Sequence, residues 1–369
     1  MRLFSLLPAF LAPLVALASP LRAALEERAA AIEGRAAAQG LPRLVIYFQT
    51  THDQAGNPIS MLPLVNDRGI ALTHLIVCSL HVNYAFSTGT VNVHLNDFMY
   101  NDTHFDTLWA EAEILKKNKI KVMGMVGGAA YGSFTTNTLG ADREDLWEQA
   151  YGALAEVIRN QGLQGIDLDV EQSLGLDKIE RLVNRLAADF GPDFIITLAP
   201  VASALEAGGG NLSGFSYKQL EADDKDKIAF YNAQYYSGFG WTFWTNDFDR
   251  AVANGFSPDR IVIGQLTSPD NGYGYTDPAT LNETVVALRE KYGTIGGVMG
   301  WEYFNSAPGG TSAPWQWAED MTRIFRPGPP GQLKINGNDV QKLNAAWHSA
   351  TKGKSQPNVP YDKWKNSPP

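Results

Sequence analysis

The sequence predicts a single (β/α)8 barrel, and three observations carry that expectation. Eight short β-rich runs recur, and their starts fall roughly 30 to 46 residues apart, the length of a βα unit. The stretches between them, such as 145–160 and 176–189, show helical periodicity. No run is followed by a Gly-rich dinucleotide- or phosphate-binding turn, which counts against the open doubly wound sheet that is the alternative. At 369 residues, 44% of them hydrophobic and 11% aromatic, the chain can bury a large core as one domain.

The runs follow in order. Residues 44–49 form the first. Residues 74–82 form the second, and they contain Cys78, the one cysteine, which is expected to be a buried strand thiol because it has no partner for an internal disulfide. The third, 120–126, leads into Gly127-Gly128, where a backbone without Cβ atoms can approach a ligand closely. The fourth, 165–171, reads Gly165-Ile166-Asp167-Leu168-Asp169-Val170-Glu171. Strand alternation puts its three carboxylates on one face. Two readings are open from the pattern: a solvated acid face over a packed aliphatic one, or a catalytic row rising toward the open end of a barrel strand. Unpaired buried carboxylates cost several kcal/mol or must hold a proton. The fifth run is 194–199, and the sixth, 228–236, ends in Gln234-Tyr235-Tyr236. The seventh is 260–266, and the eighth, 297–303, carries Trp301-Glu302.

Barrel enzymes place their chemistry at the C-terminal ends of the strands. Collected there, the candidates are Asp167, Asp169 and Glu171, with Gln234, Tyr235, Tyr236, Trp301, Glu302, Gly127 and Gly128. Further aromatics, Trp241, Phe243 and Trp244, follow the sixth run. Acids, an amide, phenols and indoles in one mouth suit a sugar: aromatic faces stack on pyranose C–H surfaces, and polar groups fix the hydroxyls.

Outside the barrel (43–326), residues 1–18 read as a secretory signal. Arg2 precedes an apolar stretch broken by Pro8 and Pro13, and Ala16-Leu17-Ala18 offers a cleavage site. A secreted protein is therefore expected. Residues 19–42, rich in Ala, Glu and Arg, read as a pro-segment or flexible arm, or else as a short surface helix. Residues 327–369 open with Pro327-Gly328-Pro329-Pro330-Gly331 and are expected to form a linker and an extended tail. The net charge of -9 argues against nucleic acid and anionic membranes as partners, and a monomer is expected. The six histidines include no ligand pair at i, i+4 near the acids, so neither a metal nor a cofactor is expected. Asn101, Asn211 and Asn282 stand in N-glycosylation sequons.

The fourth run closely resembles the strand-four signature of glycoside hydrolase family 18, the chitinase family. Thr197-Leu198-Ala199-Pro200, Gln234-Tyr235-Tyr236 and Gly300-Trp301-Glu302 resemble that family's fifth, sixth and eighth strands. The resemblance spans roughly 43–326 and implies substrate-assisted hydrolysis, one of the exceptions to the two-carboxylate scheme. It implies Glu171 as general acid and Asp169 as the group that holds and polarises the substrate's 2-acetamido group. Asp167 would be the deeper acid, sharing a proton with Asp169. Tyr236 and Gln234 would bind the acetamido group, and Trp301 would form the floor. The chain departs from the family at Gln164, where an acid is usual. Parity places that residue off the catalytic face. It also departs at Met125-Val126-Gly127-Gly128, where Ser-x-Gly-Gly is usual and the serine supports the deep aspartate. The connection 267–296 holds one loop and one helix, without room for the large insertion that walls a deep cleft, so an open groove is expected. Gly124-Met125-Val126-Gly127-Gly128-Ala129 and Leu168-Asp169-Val170-Glu171-Gln172 look most like the secreted endo-β-N-acetylglucosaminidases of filamentous fungi. The likeness implies cleavage of the GlcNAc–GlcNAc core of high-mannose N-glycans. The alternatives are a chitinase and a non-catalytic lectin of the same family, although such lectins typically lose the acid at the position of Glu171.

Overall fold

A computed structural model describes residues 40–65, 69–327, 333–351, 360–361 and 363. The expected signal and most of the arm lie outside the described residues. In chain order the strands are β1 (Arg43–Phe48), β2 (His74–Ala85), β3 (Thr90–Leu95), β4 (Phe98–Met99), β5 (Lys121–Gly127), β6 (Gly165–Asp169), β7 (Ile195–Leu198), β8 (Phe230–Gln234), β9 (Ile261–Leu266) and β10 (Gly297–Trp301). The helices are α1 (Asp106–Lys117), α2 (Glu144–Asn160), α3 (Leu176–Phe190), α4 (Tyr217–Asp224), α5 (Asn246–Ala253), α6 (Pro278–Tyr292), α7 (Trp315–Phe325) and α8 (Gly337–Ala350). β1 pairs in parallel with both β2 and β10, so the parallel strands β1, β2, β5, β6, β7, β8, β9 and β10 close into a ring. This is the expected (β/α)8 barrel.

Strand alternation divides the apolar residues into two cores. Val45, Tyr47, Ile76, Cys78, Met123, Met125, Phe230, Val262 and Met299 fill the barrel interior. Their neighbours in sequence, such as Leu44, Ile46, Leu75, Val122, Ile166 and Leu168, face the helices. Cys78 is a fully buried free thiol, as expected.

Three features differ from the sequence reading. First, β2 runs on past the barrel rim and folds back through β3 and β4 as an antiparallel extension that the sequence reading treats as connection. Second, β6 stops at Asp169, so Glu171 stands just beyond the strand. Its neighbour β5 turns away there through Gly127 and Gly128, at φ +107° and +85°. Third, the tail is not wholly extended. Asn336 and Asp339 form a reciprocal capping box that starts α8, and α8 packs on α1. Val340, Leu343 and Trp347, at i, i+3 and i+7, supply its buried stripe. Tyr361 is buried further along and donates to the carboxylate of Glu111 on α1 at 2.7 Å. The connection 267–296 contains a short 3-10 turn and α6, as expected.

Candidate active site

At the C-terminal end of the barrel, Tyr47, Asp169, Glu171, Gln234, Tyr236 and Trp301 converge on one cavity of about 360 Å³. Gly127, Gly128, Met125 and Gln49 also line it.

Asp167 lies deepest and is fully buried. Tyr47 donates to its Oδ2 at 2.7 Å, while Thr197 Oγ1 and Asn232 Nδ2 donate to its Oδ1 at 2.5 and 3.1 Å. Burial pushes its pKa up, and the three donors oppose that. Alternation along β1, β7 and β8 turns these three residues inward, so the missing serine of the third strand is replaced by donors from other strands. Met125, which pairs in register with Asp167, closes the cavity wall as a thioether instead.

Asp169 is buried, and Gln234 Nε2 donates to its Oδ1 at 3.1 Å and to Ala199 O at 2.9 Å. Its pKa stands well above the ordinary carboxylate range, first through burial and then through the charges of Glu171 and Asp167. The oxygens of Asp167 accept from Tyr47, Thr197 and Asn232, while the charges of both Glu171 and Asp167 act on Asp169. Glu171, half-buried at the mouth, is also raised, chiefly by burial, while Gln234 and Asp169 favour its charged form. Tyr236 is buried against all three acids, and burial and their charges push its hydroxyl pKa far up. It faces the cavity as a neutral donor.

Trp301 lines the cavity, with its indole N–H donating to Gln49 Oε1 at 3.0 Å. Gly128 faces the cavity too: a Cβ there would lie 3.7 Å from Asp169 Oδ2 and 3.4 Å from Met125 Cε. Gly127 also lies close to the backbone of β6. A Cβ on it would sit 2.1 Å from the backbone oxygen of Asp169, so this close approach to β6 requires glycine.

Four sequence candidates stand elsewhere. Tyr235 is buried outside the barrel interior, because alternation places it opposite Gln234 and Tyr236. Glu302 turns away from the cavity and accepts from the backbone N–H groups of Gln49 and Thr50 and from the Thr50 hydroxyl. Trp241 and Trp244 line a separate, shallow aromatic surface with Phe243 and Tyr273. That surface borders the cavity where Ser237 N donates to Tyr273 O at 2.7 Å. The sequence reading missed Tyr47, Thr197, Asn232 and Gln49. Period-two alternation of the inward faces was the signal that could have found them.

Comparison with known proteins bears on the family. No family model matches the chain. A solved fungal endo-β-N-acetylglucosaminidase from glycosyl hydrolase family 18 is 58% identical, with 78% of this chain and 99% of that one covered at a TM-score of 0.75. This chain belongs to glycoside hydrolase family 18. Another solved family 18 relative, the chitinase ChiC from Aspergillus fumigatus, is 44% identical over 76% of this chain and 98% of its own, at a TM-score of 0.68. A curated relative, Chitinase 2 from Rhizopus oligosporus, is 30% identical over 195 residues, which are 50% of this chain and 34% of that protein. The chain thus spans about a third of the length of that curated relative. The barrel and the convergence of Asp169, Glu171 and Tyr236 agree with the family 18 membership. Among the described residues, no cluster of three or more His, Cys, Asp or Glu side chains is arranged to hold a metal ion, and no helix is long and apolar enough to cross a membrane.

Proposed function

We propose that this protein is a retaining endo-β-N-acetylglucosaminidase that cleaves between the two core GlcNAc residues of high-mannose N-glycans, with the substrate's own acetamido group as nucleophile. The observation that carries this reading is the convergence of Glu171, Asp169, Tyr236 and Trp301 on one cavity, in a chain 58% identical to a fungal endo-β-N-acetylglucosaminidase.

In this reading the cleaved sugar rests on Trp301. Tyr236 donates to the acetamido carbonyl, and Asp169 accepts the acetamido N–H. That N–H favours the ionised form of Asp169, while Glu171 carries the proton to be donated. The acetamido oxygen attacks the anomeric carbon as the C–O bond to the leaving sugar breaks, and Glu171 protonates the departing oxygen. An oxazolinium ion results. Glu171, now a carboxylate, takes a proton from the water that opens the ion, which restores the acid and releases the glycan with retained configuration. Asp167 acts through Asp169, holding its charge balance.

A chitinase acting on β-1,4-GlcNAc polymers is the second reading. The likeness to ChiC favours it, and the same chemistry serves both. The test is incubation with a high-mannose glycoprotein of the ribonuclease type, followed by mass spectrometry. Release of the glycan with one GlcNAc left on the protein is the expected result. Cleavage of chitin oligomers without glycan release would establish the second reading instead.

A further inference from the structure

Glu302 is a buried carboxylate, 8% exposed, that the proposed mechanism does not use. Its place follows from the ring closure. β1 and β10 pair in register as far as Ile46 and Gly300, and beyond that point Tyr303 N donates to Tyr47 O at 3.0 Å. Trp301 packs against the barrel interior, and Glu302 turns the other way, toward the residues that continue β1. Its Oε2 accepts from Thr50 N at 2.7 Å and from Gln49 N at 3.3 Å, and its Oε1 accepts from Thr50 Oγ1 at 2.7 Å. A buried carboxylate is costly unless its oxygens are satisfied, and here three donors come from two consecutive residues.

Gln49 is thereby held at three points. Its N–H donates to Glu302, its carbonyl oxygen accepts from Asn96 Nδ2 at 2.9 Å, and its Oε1 accepts the Trp301 indole N–H at 3.0 Å. Asn96 lies between β3 and β4, and its Oδ1 accepts from Ser79 N of β2 at 3.1 Å, so it is itself fixed. The Trp301 backbone is held from the β9 side. Trp301 O accepts from Thr267 N at 3.0 Å and from Asn271 Nδ2 at 3.2 Å, and Glu302 O accepts from Thr267 Oγ1 at 2.5 Å. These contacts fix where the ring is attached. The Gln49 amide oxygen fixes where its far edge points, which the backbone alone leaves to two side-chain torsions.

From this, resting on the role of Trp301 in the function proposed above, we propose that Glu302 is a positioning residue for the reaction: its carboxylate orders residues 49 and 50, and Gln49 in turn sets the angle of the Trp301 ring beneath the cleaved sugar. Glu302 acts at two removes, across the seam between the first and last strands of the barrel. The requirement is for acceptors rather than for charge. A glutamine accepts from both backbone N–H groups through its amide oxygen and donates to the Thr50 hydroxyl oxygen through its NH2, whereas an alanine leaves all three donors without this partner. A displacement of about 1 Å in a group that supports the reacting sugar costs up to about 10²-fold in rate.

The experiment sets Glu302→Ala beside Glu302→Gln, with Thr50→Val as a milder break that removes one donor and keeps the side-chain shape. Activity is measured on a high-mannose glycoprotein or on chitin oligomers, whichever the wild type cleaves. Relative to wild type, kcat/KM should fall about tenfold or more in Glu302→Ala and stay within about twofold in Glu302→Gln. The second readout needs no substrate: the Trp301 indole N–H signal in proton–nitrogen correlation spectra, identified by its loss in Trp301→Phe. In Glu302→Ala it should move and exchange faster with solvent; in Thr50→Val it should move the same way by less, and in Glu302→Gln it should keep the wild-type exchange rate. An indole signal unmoved in folded Glu302→Ala overturns the proposal, as does an alanine variant that keeps full activity or a glutamine variant that loses as much as the alanine one. If Glu302→Ala does not fold, an unmoved signal in Thr50→Val overturns it. A wild type that cleaves chitin oligomers and spares the glycoprotein overturns the proposed substrate instead, and the indole measurement still decides the role of Glu302.

Discussion

Glu171 and Asp169 are neighbours at one strand end, and the chemistry proposed for them depends on which of them is protonated. Both carboxyls are raised by burial, and Asp169 further by the charges of Glu171 and Asp167. Because the acid form is the active one, kcat/KM should fall as pH rises through the upper apparent pKa of the pair, which lies above the ordinary carboxylate range. Asp167→Asn removes a like charge, so the alkaline limb of the profile should move to lower pH; an unmoved limb counts against the coupling. Glu171→Gln should lower kcat by about 10²–10⁴-fold, as removal of a general acid does, with the unfolding transition unchanged. A few-fold loss would exclude Glu171 as the acid. The sequence displayed the acids themselves, since three carboxylates at period two have few ordinary explanations. It did not display their partners. Tyr47, Thr197 and Asn232 are unremarkable strand residues until three strands are curled to bring their inward faces within reach of Asp167.

The element whose geometry matters most to the site is the end of β5. Gly127 has φ +107°, and a Cβ there would overlap the Asp169 carbonyl oxygen at 2.1 Å. Gly127→Ala should therefore cost about 3 kcal/mol and reduce activity through displacement of Asp169; denaturant unfolding and kcat/KM check the two effects together. The contact between α8 and α1 offers a different readout. Glu111 is fully buried and accepts from Ser60 Oγ, Met61 N and Tyr361 Oη, and burial raises its pKa from 4.5 to about 6. A folded-state pKa above the unfolded one means that the folded protein binds the proton more tightly. The stability contribution of this carboxyl is thus fullest below 4.5 and is lost as pH rises to about 6, a change of about 2 kcal/mol. Measured against Glu111→Ala in urea, the wild-type advantage should grow by that amount between about pH 7 and about pH 4. A constant difference would contradict the burial argument. The α8 helix was legible in principle. Its stripe at Val340, Leu343 and Trp347 is short, and its capping box uses Asn and Asp rather than the commoner Ser/Thr and Glu, so a polar, Pro-rich surround masked it.

At the scale of the whole molecule, the described residues from Pro42 onward form one compact unit, with α8 and Tyr361 within it. The barrel was predictable because eight runs at βα spacing admit few closures; the β2–β3–β4 extension was not, because its pairing is set by contacts rather than by period. Removal of residues 333–369 should expose the α1 face that α8 covers and lower the melting temperature by several degrees while keeping one cooperative transition (about 4–8 °C per kcal/mol in a small domain and less in one this size). Two separate transitions in the intact protein would show instead that the tail folds independently. The ring closure has a consequence for a chain still being made. Tyr47 precedes Asp167 by 120 residues and Asn232 follows it by 65. A nascent polypeptide that has just passed Glu171 carries every acid of the signature, yet lacks two of the three donors that hold the deepest one. Such a fragment is chemically silent: the bond-breaking apparatus comes into being with the finished ring, and not with the segment that spells it.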